Sequence, residues 1–342
     1  MTGPAPGAEP RAVLVTGGTG LIGSHVVERL AGSGAPVRVA SRSGRWEWGP
    51  VPPGVECHAI DLRDGGRQAL LENLVRDTRT IIHLAGMLLR PGVPEEAYRE
   101  LHVDAVRRLV AAARSAPGNG RRRIVHVSTT GVLGPTGADP IDERAEPHPT
   151  TPYEQTKLEG ERAALAAMGS GLEVVVVRPG LVYGPRDLHL LGLYRAVDRG
   201  LFRTIARGDA RWQPIHVADV ARGIERAAEC EDVDGEVFHV AGSETVAVAE
   251  FADRIAAALG RRVRGPSLPY GLAMAAGTAL EYAARPFGVD PPLSRSRVRT
   301  LTEDRLYRID RARDRLGFEP STALDEGLVE TVAWYRDHGY LR

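Results

Sequence analysis

The stretch Val13-Leu-Val-Thr-Gly-Gly-Thr-Gly-Leu-Ile-Gly23 decides the fold. It opens with the β-branched and leucine run of a short buried strand, and the apolar residues from Leu21 to Leu30 recur with helical spacing. Gly18-x-Gly20-x-x-Gly23 therefore spans a strand-to-helix junction. Glycines at this spacing allow a tight turn, close approach of backbone to a pyrophosphate, and close helix–strand packing. The stretch predicts a dinucleotide-binding turn with phosphates at the helix N-terminus.

Strand-like apolar runs alternate with helical periodicity through the first half of the chain. The runs are Val13–Val15, Val37–Ala40, Val55–Ile60, Thr80–Leu84, Ile124–Val127 and Leu172–Val177. This alternation predicts an α/β protein of the Rossmann type, in which a doubly wound parallel sheet carries helices on both faces. Ligands are expected at the carboxyl ends of the strands.

The pattern becomes irregular after Pro185, which indicates a second unit. Helical segments there surround one strand-like run, Val237–Ala241. We predict a disordered tail over 1–11, a dinucleotide-binding Rossmann domain over 12–186 to which 215–242 returns, and a smaller, mostly C-terminal α/β substrate lobe over 187–214 and 243–342.

The composition excludes several classes of protein. Among 342 residues, 44 Lys+Arg balance 44 Asp+Glu, so no positive field points to nucleic acid. The two cysteines, Cys57 and Cys230, form neither a disulfide framework nor a zinc-ligand spacing, which predicts no metal and suits a reducing cytoplasm. The Pro/Gly/Ala-rich start lacks a signal-peptide core, and no stretch resembles an integral membrane segment. We expect a small-molecule substrate and leave a homodimer open.

Two apolar segments bear on the substrate. Met87-Leu88-Leu89 follows the fourth strand and indicates an apolar surface beside a nicotinamide. The segment Leu268–Ala284 is apolar and rich in small residues. Because it lacks a dense basic face, a lid or core helix is favoured, with a membrane-surface helix as the alternative.

The end of the second strand bears on cofactor choice. An acidic residue there would bind the ribose 2′-hydroxyl of NAD. Ser41 and Arg42 stand there instead, and a planar guanidinium suits a 2′-phosphate. An ordinary solvated arginine is the alternative. We therefore expect NADP, with NAD possible, and we expect Asp61 to accept a hydrogen bond from the adenine amine.

A tyrosine and a lysine are placed for proton transfer. Thr151 and Glu154 form a predicted capping box and Pro152 fits the first helical position, so Tyr153 and Lys157 lie one turn apart on a helix. A nearby ammonium and a positive nicotinamide would stabilise the phenolate. Lowering its pKa by roughly three units requires about 4 kcal/mol. Such a tyrosine can exchange a hydroxyl proton while hydride moves to or from the nicotinamide.

Hydroxyl side chains follow the fifth strand-like run. Ser128, Thr129 and Thr130 come directly after Val127. A hydroxyl at this place can hydrogen-bond both a substrate oxygen and the tyrosine. The alternative is ordinary turn chemistry at the end of a strand.

These motifs together resemble the extended short-chain dehydrogenase/reductase family, over nearly the whole chain. The matching motifs are Thr16–Gly23, Asp61-Leu62, His83–Gly86, Val127–Gly134, Tyr153-x-x-x-Lys157, Arg178–Pro185, Ile215–Val220 and Leu316–Pro320. The segment from Pro266 onward is most similar to the 3β-hydroxysteroid dehydrogenase and dihydroflavonol reductase-like branch.

The resemblance implies a set of site residues. The implied catalytic residues are Thr129, Tyr153 and Lys157. The expected cofactor contacts are Gly17, Gly20, Leu21, Ile22, Gly23, Ser41, Arg42, Asp61, Leu62, Leu84, Ala85, Gly86, Ser128, Tyr153, Lys157, Pro179, Gly180 and Val182.

Departures from the family pattern narrow the function. Sugar-nucleotide dehydratases carry Asp-Glu after the catalytic threonine, whereas Thr130-Gly131 stands here, which argues against dehydration. Trp212 replaces an arginine that epimerases often have, and His102 replaces the asparagine of the central helix. We expect an NAD(P)-dependent oxidoreductase that interconverts a secondary alcohol and a ketone on a largely hydrophobic or polycyclic molecule. A nucleotide-sugar epimerase or 4-ketoreductase is the alternative, and a non-catalytic cofactor-binding regulator is a remote one.

Other polar residues are expected to be structural. His83, His126, His216 and His239 lack metal-ligand spacing and are interpreted as packed, hydrogen-bonded side chains. Asp142-Glu143 is expected to be solvated or to pin a loop. The arginines from Arg295 to Arg315 are expected on a solvated face, with a clamp for an anionic substrate as the alternative.

Overall fold

A computed structural model describes residues 12–90, 92–116, 121–284, 291 and 293–342. The predicted tail over 1–11 lies outside these residues. None of the helices in the described ranges combines the length and the apolar character that crossing a bilayer requires.

Seven parallel strands form the central sheet. Their bounds are β1 Val13–Thr16, β2 Val37–Ser41, β3 Val55–Ala59, β4 Thr80–His83, β5 Arg122–Val127, β6 Leu172–Pro179 and β10 Val237–Val240. Their order is β10-β6-β5-β4-β1-β2-β3, and every neighbouring pair is parallel. The chain leaves β1 toward β2 on one side and returns to β4 on the other. This switch point, where ligands of open α/β sheets bind, lies beside the glycine turn.

Helices cover both faces of the sheet, which confirms the predicted Rossmann-type fold. They are α1 Leu21–Gly32, α2 Gln68–Val75, α3 Glu95–Arg99, α4 Ala105–Ser115, α5 Pro152–Ala166 and α7 Val217–Glu229. Helices α1 and α7 bury valine, leucine and isoleucine side chains against one face. Helices α2, α4 and α5 do the same on the other. A π-helical turn, Glu100–Asp104, connects α3 to α4.

The remaining elements form shorter ladders and a third core. The strands are β7 Leu181–Tyr183, β8 Arg211–Trp212, β9 Pro214–His216 and β11 Val246–Ala247, and the helices are α6 Leu191–Asp198, α8 Val248–Leu259, α9 Tyr270–Ala284, α10 Arg295–Thr300, α11 Asp310–Leu316 and α12 Leu324–Asp337. Strand β7 pairs with β9 and β8 with β11. Helices α6, α8 and α12 pack around buried Phe251, Tyr194 and Tyr335. We keep the name substrate lobe for residues 187–214 and 243–342, as predicted.

Candidate active site

The glycine turn brings the ends of β1 and β4 into close contact. Gly17 has φ +70°, and a Cβ on it would stand 2.7 Å from the amide nitrogen of Ala85. A Cβ on Gly23 would stand 2.2 Å from the carbonyl oxygen of Gly17. Gly20 is the N-cap of α1, whose first turn (Leu21 and Ile22 included) carries no acidic residue. The turn thus leaves a side-chain-free cradle before a helix N-terminus, which fits a pyrophosphate.

The ends of β2 and β3 form the part of the site expected to hold adenosine. Ser41 is buried, and its hydroxyl accepts a hydrogen bond from the Gly44 amide at 3.1 Å. Arg42 is exposed and near enough to Asp61 to favour its charged form. The pKa of Asp61 is lowered mainly because Arg63 donates hydrogen bonds to it, one of them at 2.6 Å. The predicted adenine acceptor therefore already has a partner. Leu62 is buried, so a cofactor would meet its backbone.

A tryptophan that the sequence analysis missed lies against the glycine turn. The indole nitrogen of Trp48 donates a hydrogen bond to the carbonyl oxygen of Thr19 at 2.9 Å. The Arg186 guanidinium lies 5.2 Å from the Trp48 ring centre, and the Trp334 ring of α12 lies 6.2 Å from it. Trp48 thus links the glycine turn to the substrate lobe, and its position in a Pro/Gly-rich loop gave no periodic signal.

The segment after β4 meets α5 through His102. Leu84 and Ala85 are partly buried, and a Cβ on Gly86 would lie 3.4 Å from Nε2 of His102 and 4.0 Å from Nζ of Lys157.

Both ring nitrogens of His102 have partners. Nε2 accepts the Met87 amide at 3.2 Å, and Nδ1 lies 2.9 Å from the Thr156 hydroxyl. Burial lowers the pKa of His102 to about 3, so the ring is neutral near pH 7. His102, which stands at the family's asparagine position, therefore ties the β4 loop to α5.

The start of α5 is fixed by the predicted capping box, which the structure confirms. The Thr151 hydroxyl accepts the Glu154 amide at 3.2 Å, and the Glu154 carboxylate accepts the amides of Thr151 and Thr150 at 3.0 and 2.8 Å. These bonds satisfy amides that a helix start leaves without partners. The fixed start of the helix therefore fixes the positions of Tyr153 and Lys157 beside the end of β5.

Thr129 and Tyr153 come together at this edge of the sheet. The Thr129 side chain lies close enough to the Tyr153 hydroxyl to act toward a lower pKa of that hydroxyl. Burial acts in the opposite direction and is stronger, so it raises the pKa of Tyr153 to about 12. Without a bound cofactor, burial therefore outweighs the lowering of the Tyr153 pKa that was expected from Lys157.

Lys157 lies on the same helix face, against the end of β5. Its Nζ donates a hydrogen bond to the carbonyl oxygen of Val127 at 2.6 Å. Burial lowers the pKa of Lys157 to about 8, while Glu161 favours the charged form. The ammonium is therefore predominantly protonated near pH 7. It lies beside Ser128, whose buried hydroxyl has no hydrogen-bond partner among the described residues.

The remaining expected cofactor contacts lie at the end of β6. Pro179 is the last residue of β6, Val182 lies in β7, and the Gly180 amide between them donates to the carbonyl oxygen of Val240 at 2.9 Å. A Cβ on Gly180 would lie 3.3 Å from that of Ala241. These residues occupy the same edge of the sheet as the ends of β1, β4 and β5.

An arginine expected on a solvated face is instead largely buried beside α5. The side chain of Arg305 is 16% exposed, and its Nη1 lies 3.3 Å from Oε1 of Glu154. Tyr307, which follows two residues later, lies near the Thr130 hydroxyl and Arg305, and both act against the rise that burial produces in its pKa. The prediction of a solvated face is therefore wrong for this part of 295–315. The reason is that the acidic partner lies 151 residues earlier in the chain.

Two further sequence expectations have different outcomes. Glu143 pins a loop, since its carboxylate accepts the His239 amide at 2.9 Å and lies 3.7 Å from the Arg311 guanidinium. His126 is packed as expected, with its ring 5.5 Å from that of His83, but neither of its ring nitrogens has a hydrogen-bond partner in the described ranges. The expectation of a hydrogen-bonded histidine is wrong at this position, where the side chain is 1% exposed and lies against the ring of His83. Burial lowers its pKa, so it stays neutral.

Together these groups could bind a substrate oxygen and move a proton. Two hydroxyls, an ammonium one helical turn away and a side-chain-free phosphate cradle lie along one edge of the sheet. This edge has the donors and the shape that a nicotinamide dinucleotide requires.

Comparison with known proteins agrees with this geometry. Residues 13–241 match the model of the NAD dependent epimerase/dehydratase family. A 4-hydroxy-2-methyl-3-oxo-4-farnesyl-3,4-dihydroquinoline-1-oxide ketoreductase of Stigmatella aurantiaca is 29% identical, with 92% of this chain and 94% of that protein covered. A 3beta-hydroxysteroid-dehydrogenase/decarboxylase of Arabidopsis thaliana is 27% identical, with 94% and 79% covered.

A solved structure extends the similarity to the whole fold. The structure of MoeE5 in complex with UDP-glucose and NAD superimposes with a TM-score of 0.74 at 28% identity, over 96% of this chain and 99% of that one. The family match spans more than half of the chain, and the relatives in that family are enzymes. The chain belongs to the NAD-dependent epimerase/dehydratase family and is an oxidoreductase of the extended short-chain dehydrogenase/reductase type.

Proposed function

We propose that the protein interconverts a secondary alcohol and a ketone on a largely hydrophobic or polycyclic small molecule, with NADP as the cofactor. The observation that carries the proposal is the meeting of Thr129, Tyr153 and Lys157 at the sheet edge, beside the glycine turn. A bound nicotinamide supplies or accepts the hydride.

In this proposal, Tyr153 exchanges the proton of the substrate oxygen. In alcohol oxidation the hydroxyl proton passes to the tyrosine oxygen as hydride leaves the carbinol carbon, and ketone reduction reverses both transfers. The Thr129 hydroxyl holds the same substrate oxygen. Because burial raises the pKa of Tyr153 to about 12, its phenolate needs positive charge nearby. The ammonium of Lys157 and an oxidised nicotinamide would supply that charge.

The apolar substrate class rests on the segment that follows β4 and on the relatives. Met87-Leu88-Leu89 follows β4, and Leu88 is 46% exposed. The names of the Stigmatella and Arabidopsis relatives describe a farnesylated quinoline and a steroid as substrates. Thr130-Gly131 offers no acid/base pair for dehydration.

The chemistry is tested by Tyr153→Phe, which removes one oxygen. Turnover of an accepted alcohol or ketone should fall by roughly 10²–10⁴, with cofactor affinity nearly unchanged. Lys157→Met should lower both turnover and cofactor affinity, and Thr129→Val should lower turnover alone. Cofactor affinity is measured separately by fluorescence titration. Native turnover by Tyr153→Phe would exclude the proposed proton transfer.

The cofactor preference is tested at Arg42. No hydrogen bond or short ion pair holds its exposed guanidinium among the described residues, so it can turn toward a 2′-phosphate. Arg42→Ala should weaken NADPH binding about tenfold or more and change NADH binding little. Arg107→Ala, which removes the same charge at an exposed position of α4, is the control. Equal affinity of the unaltered protein for both cofactors would contradict the preference for NADP.

A nucleotide-sugar 4-epimerase or 4-ketoreductase is the second candidate, favoured by the UDP-glucose in the MoeE5 structure. Two contacts weigh against it. Trp212 is buried against Phe251, and the Arg211 guanidinium beside it lies 2.7 Å from the Asp304 carboxylate, so neither is available for a diphosphate. Turnover measured with UDP-sugars and with hydrophobic ketones distinguishes the two candidates. The second candidate requires that the UDP-sugars are turned over and the hydrophobic ketones are not.

A further inference from the structure

Helix α9 has an apolar outward face. Its buried side, Ala273 and Gly277, packs on α10, where a Cβ on Gly277 would lie 3.1 Å from the Ser294 backbone. The opposite side is exposed and consists of Leu272, Ala275, Ala279, Tyr282 and Ala283. Leu272 is 58% and Tyr282 61% exposed. These positions follow the spacing of one helix face.

This face differs from those of the other long helices. The single charged residue of α9, Glu281, pairs with Arg295 at 2.8 Å. By contrast, the exposed side of α12 carries five charges, on Asp325, Glu326, Glu330, Arg336 and Asp337. Four of the exposed large apolar side chains in the described ranges lie on α9: Tyr270, Leu272, Leu280 and Tyr282. Such a concentration marks an interaction surface.

Basic side chains gather where α9 begins. The stretch 261–299 has seven arginines and two acidic residues, in a chain of net charge zero. Arg262 and Arg264 are exposed and have no acidic partner among the described residues. A Cβ on Gly265 would stand 2.7 Å from the Arg203 guanidinium, which places that arginine beside them.

A neighbouring segment adds to both the charge and the apolar area. The amide of Leu268 donates to the carbonyl oxygen of Thr204, and Leu268 accepts the Ala206 amide, both at 2.8 Å. These bonds hold 201–207 along the start of α9. This segment contributes Leu201, which is 68% exposed, and exposed Arg207.

We propose that α9 and these arginines form a docking surface for an anionic lipid bilayer. The 15-residue helix is too short to span a membrane, so it would lie in the plane of the interface with Leu272 and Tyr282 in the acyl region. Arginines at its start would meet anionic headgroups. A second copy of the chain could also cover an exposed apolar face, but such an interface would not require arginines without acidic partners. The presence of these arginines therefore favours an anionic lipid over a second copy.

The surface is close to the candidate active site along the chain. Helix α9 packs on α10, and the residues after α10 include Arg305, which contacts Glu154 at the start of α5. A bilayer bound at α9 could therefore supply an apolar substrate from a place near the candidate active site. The docking itself does not depend on the proposed reaction.

Co-sedimentation of the full chain with vesicles tests the proposal. Vesicles of phosphatidylcholine containing about one third phosphatidylglycerol should bind the protein, and pure phosphatidylcholine should bind it far less. Raised salt should weaken binding to the anionic vesicles. Leu272→Glu combined with Tyr282→Glu should lower the partition coefficient by about tenfold or more, since each buried apolar side chain contributes about that factor. Arg262→Glu combined with Arg264→Glu should lower anionic binding to nearly the level of pure phosphatidylcholine.

Matched variants separate docking from general effects. Val329→Glu on α12, at a position 57% exposed, should leave vesicle binding unchanged. Arg107→Glu, 67% exposed on α4, should do the same. Unchanged circular dichroism and cofactor affinity would show that each variant is folded. Absence of binding to anionic vesicles, or equal binding by the Leu272/Tyr282 variant, would overturn the proposal. If that variant instead changes the sedimentation coefficient without vesicles, a second copy covers the face and the lipid is excluded.

Discussion

The glycine turn and the substrate lobe hold their functional groups in different ways. At the turn, close backbone approach decides the geometry, and Gly17 and Gly23 leave no space for a Cβ. In the lobe, the decisive contacts are between side chains distant in sequence, such as Arg305 with Glu154. A backbone constraint is local, so it appears as a short motif, whereas a long-range pair leaves no pattern. The two regions should accordingly respond differently to substitution.

The largest effect is expected at the glycine turn. Gly23→Ala would place a Cβ 2.2 Å from the Gly17 carbonyl oxygen, and both atoms belong to backbone that cannot move independently. The free energy of unfolding should fall by about 3 kcal/mol or more, and cofactor affinity should be lost. Chemical denaturation and a cofactor titration measure the two effects.

Gly32→Ala is the matched control for this variant. It lies in the same helix, and its Cβ would meet nothing within 4 Å. The free energy of unfolding should change by no more than about 1 kcal/mol and should rise rather than fall. If Gly23→Ala bound cofactor as Gly32→Ala does, backbone crowding would not be the constraint at the turn.

A smaller effect is expected from Arg305→Met, which breaks a contact of the lobe with α5. Glu154 keeps its bonds from the amides of Thr150 and Thr151, so stability should fall by only about 2 kcal/mol. Turnover should fall about tenfold because Tyr153 is held less firmly, while cofactor affinity stays constant. Arg305→Lys should restore part of the turnover.

Arg308→Met provides the comparison within the same segment. Arg308 pairs with Asp310 at 2.7 Å in an exposed position, so its loss should leave the free energy of unfolding nearly unchanged. Equal kinetics for Arg305→Met and Arg308→Met would mean that the lobe does not position α5.

This contrast explains what the sequence could predict. The parallel sheet, the glycine turn and the capping box of α5 follow from local patterns, and the structure confirms them. The burial of Arg305, the contact of Trp48 with Thr19 and the engagement of Asp61 by Arg63 were not predicted. The first two depend on tertiary contacts. The third depends on which of several nearby arginines folds back on the carboxylate.

The smallest expected effect concerns a buried carboxylate in the lobe and is visible only as a pH dependence. Asp187 is 1% exposed; its Oδ1 accepts the amides of His189 and Leu190, and its Oδ2 has no partner among the described residues. Burial raises the pKa of Asp187 to about 6. Between about pH 4 and pH 6 the folded state keeps a proton that the unfolded state has released, so stability falls as pH rises through this window. Above it the cost remains constant at about 3 kcal/mol or less.

Asp187→Asn tests this, because an amide keeps the oxygen that accepts the two N–H bonds but cannot ionise. The stability of the variant should not fall between pH 4 and 6. The difference in free energy of unfolding, variant minus unaltered protein, should therefore be about 1–2 kcal/mol larger at pH 7.5 than at pH 4.5. The gain is smaller than the full cost because the unfolded carboxyl is already mostly ionised at pH 4.5, so part of the cost is present at both pH values. The new NH₂ group, which is itself buried, lowers stability equally at both and does not change this difference. Urea unfolding at the two pH values measures it, with exposed Asp314→Asn as the control, expected to shift both values by less than about 0.5 kcal/mol. A difference between Asp187→Asn and the unaltered protein that is the same at both pH values would show that Asp187 is ionised throughout. The lobe would then hold a buried charge without neutralising it. The two regions would differ in that the glycine turn is constrained by short backbone contacts, whereas the lobe is constrained by how it solvates a charge.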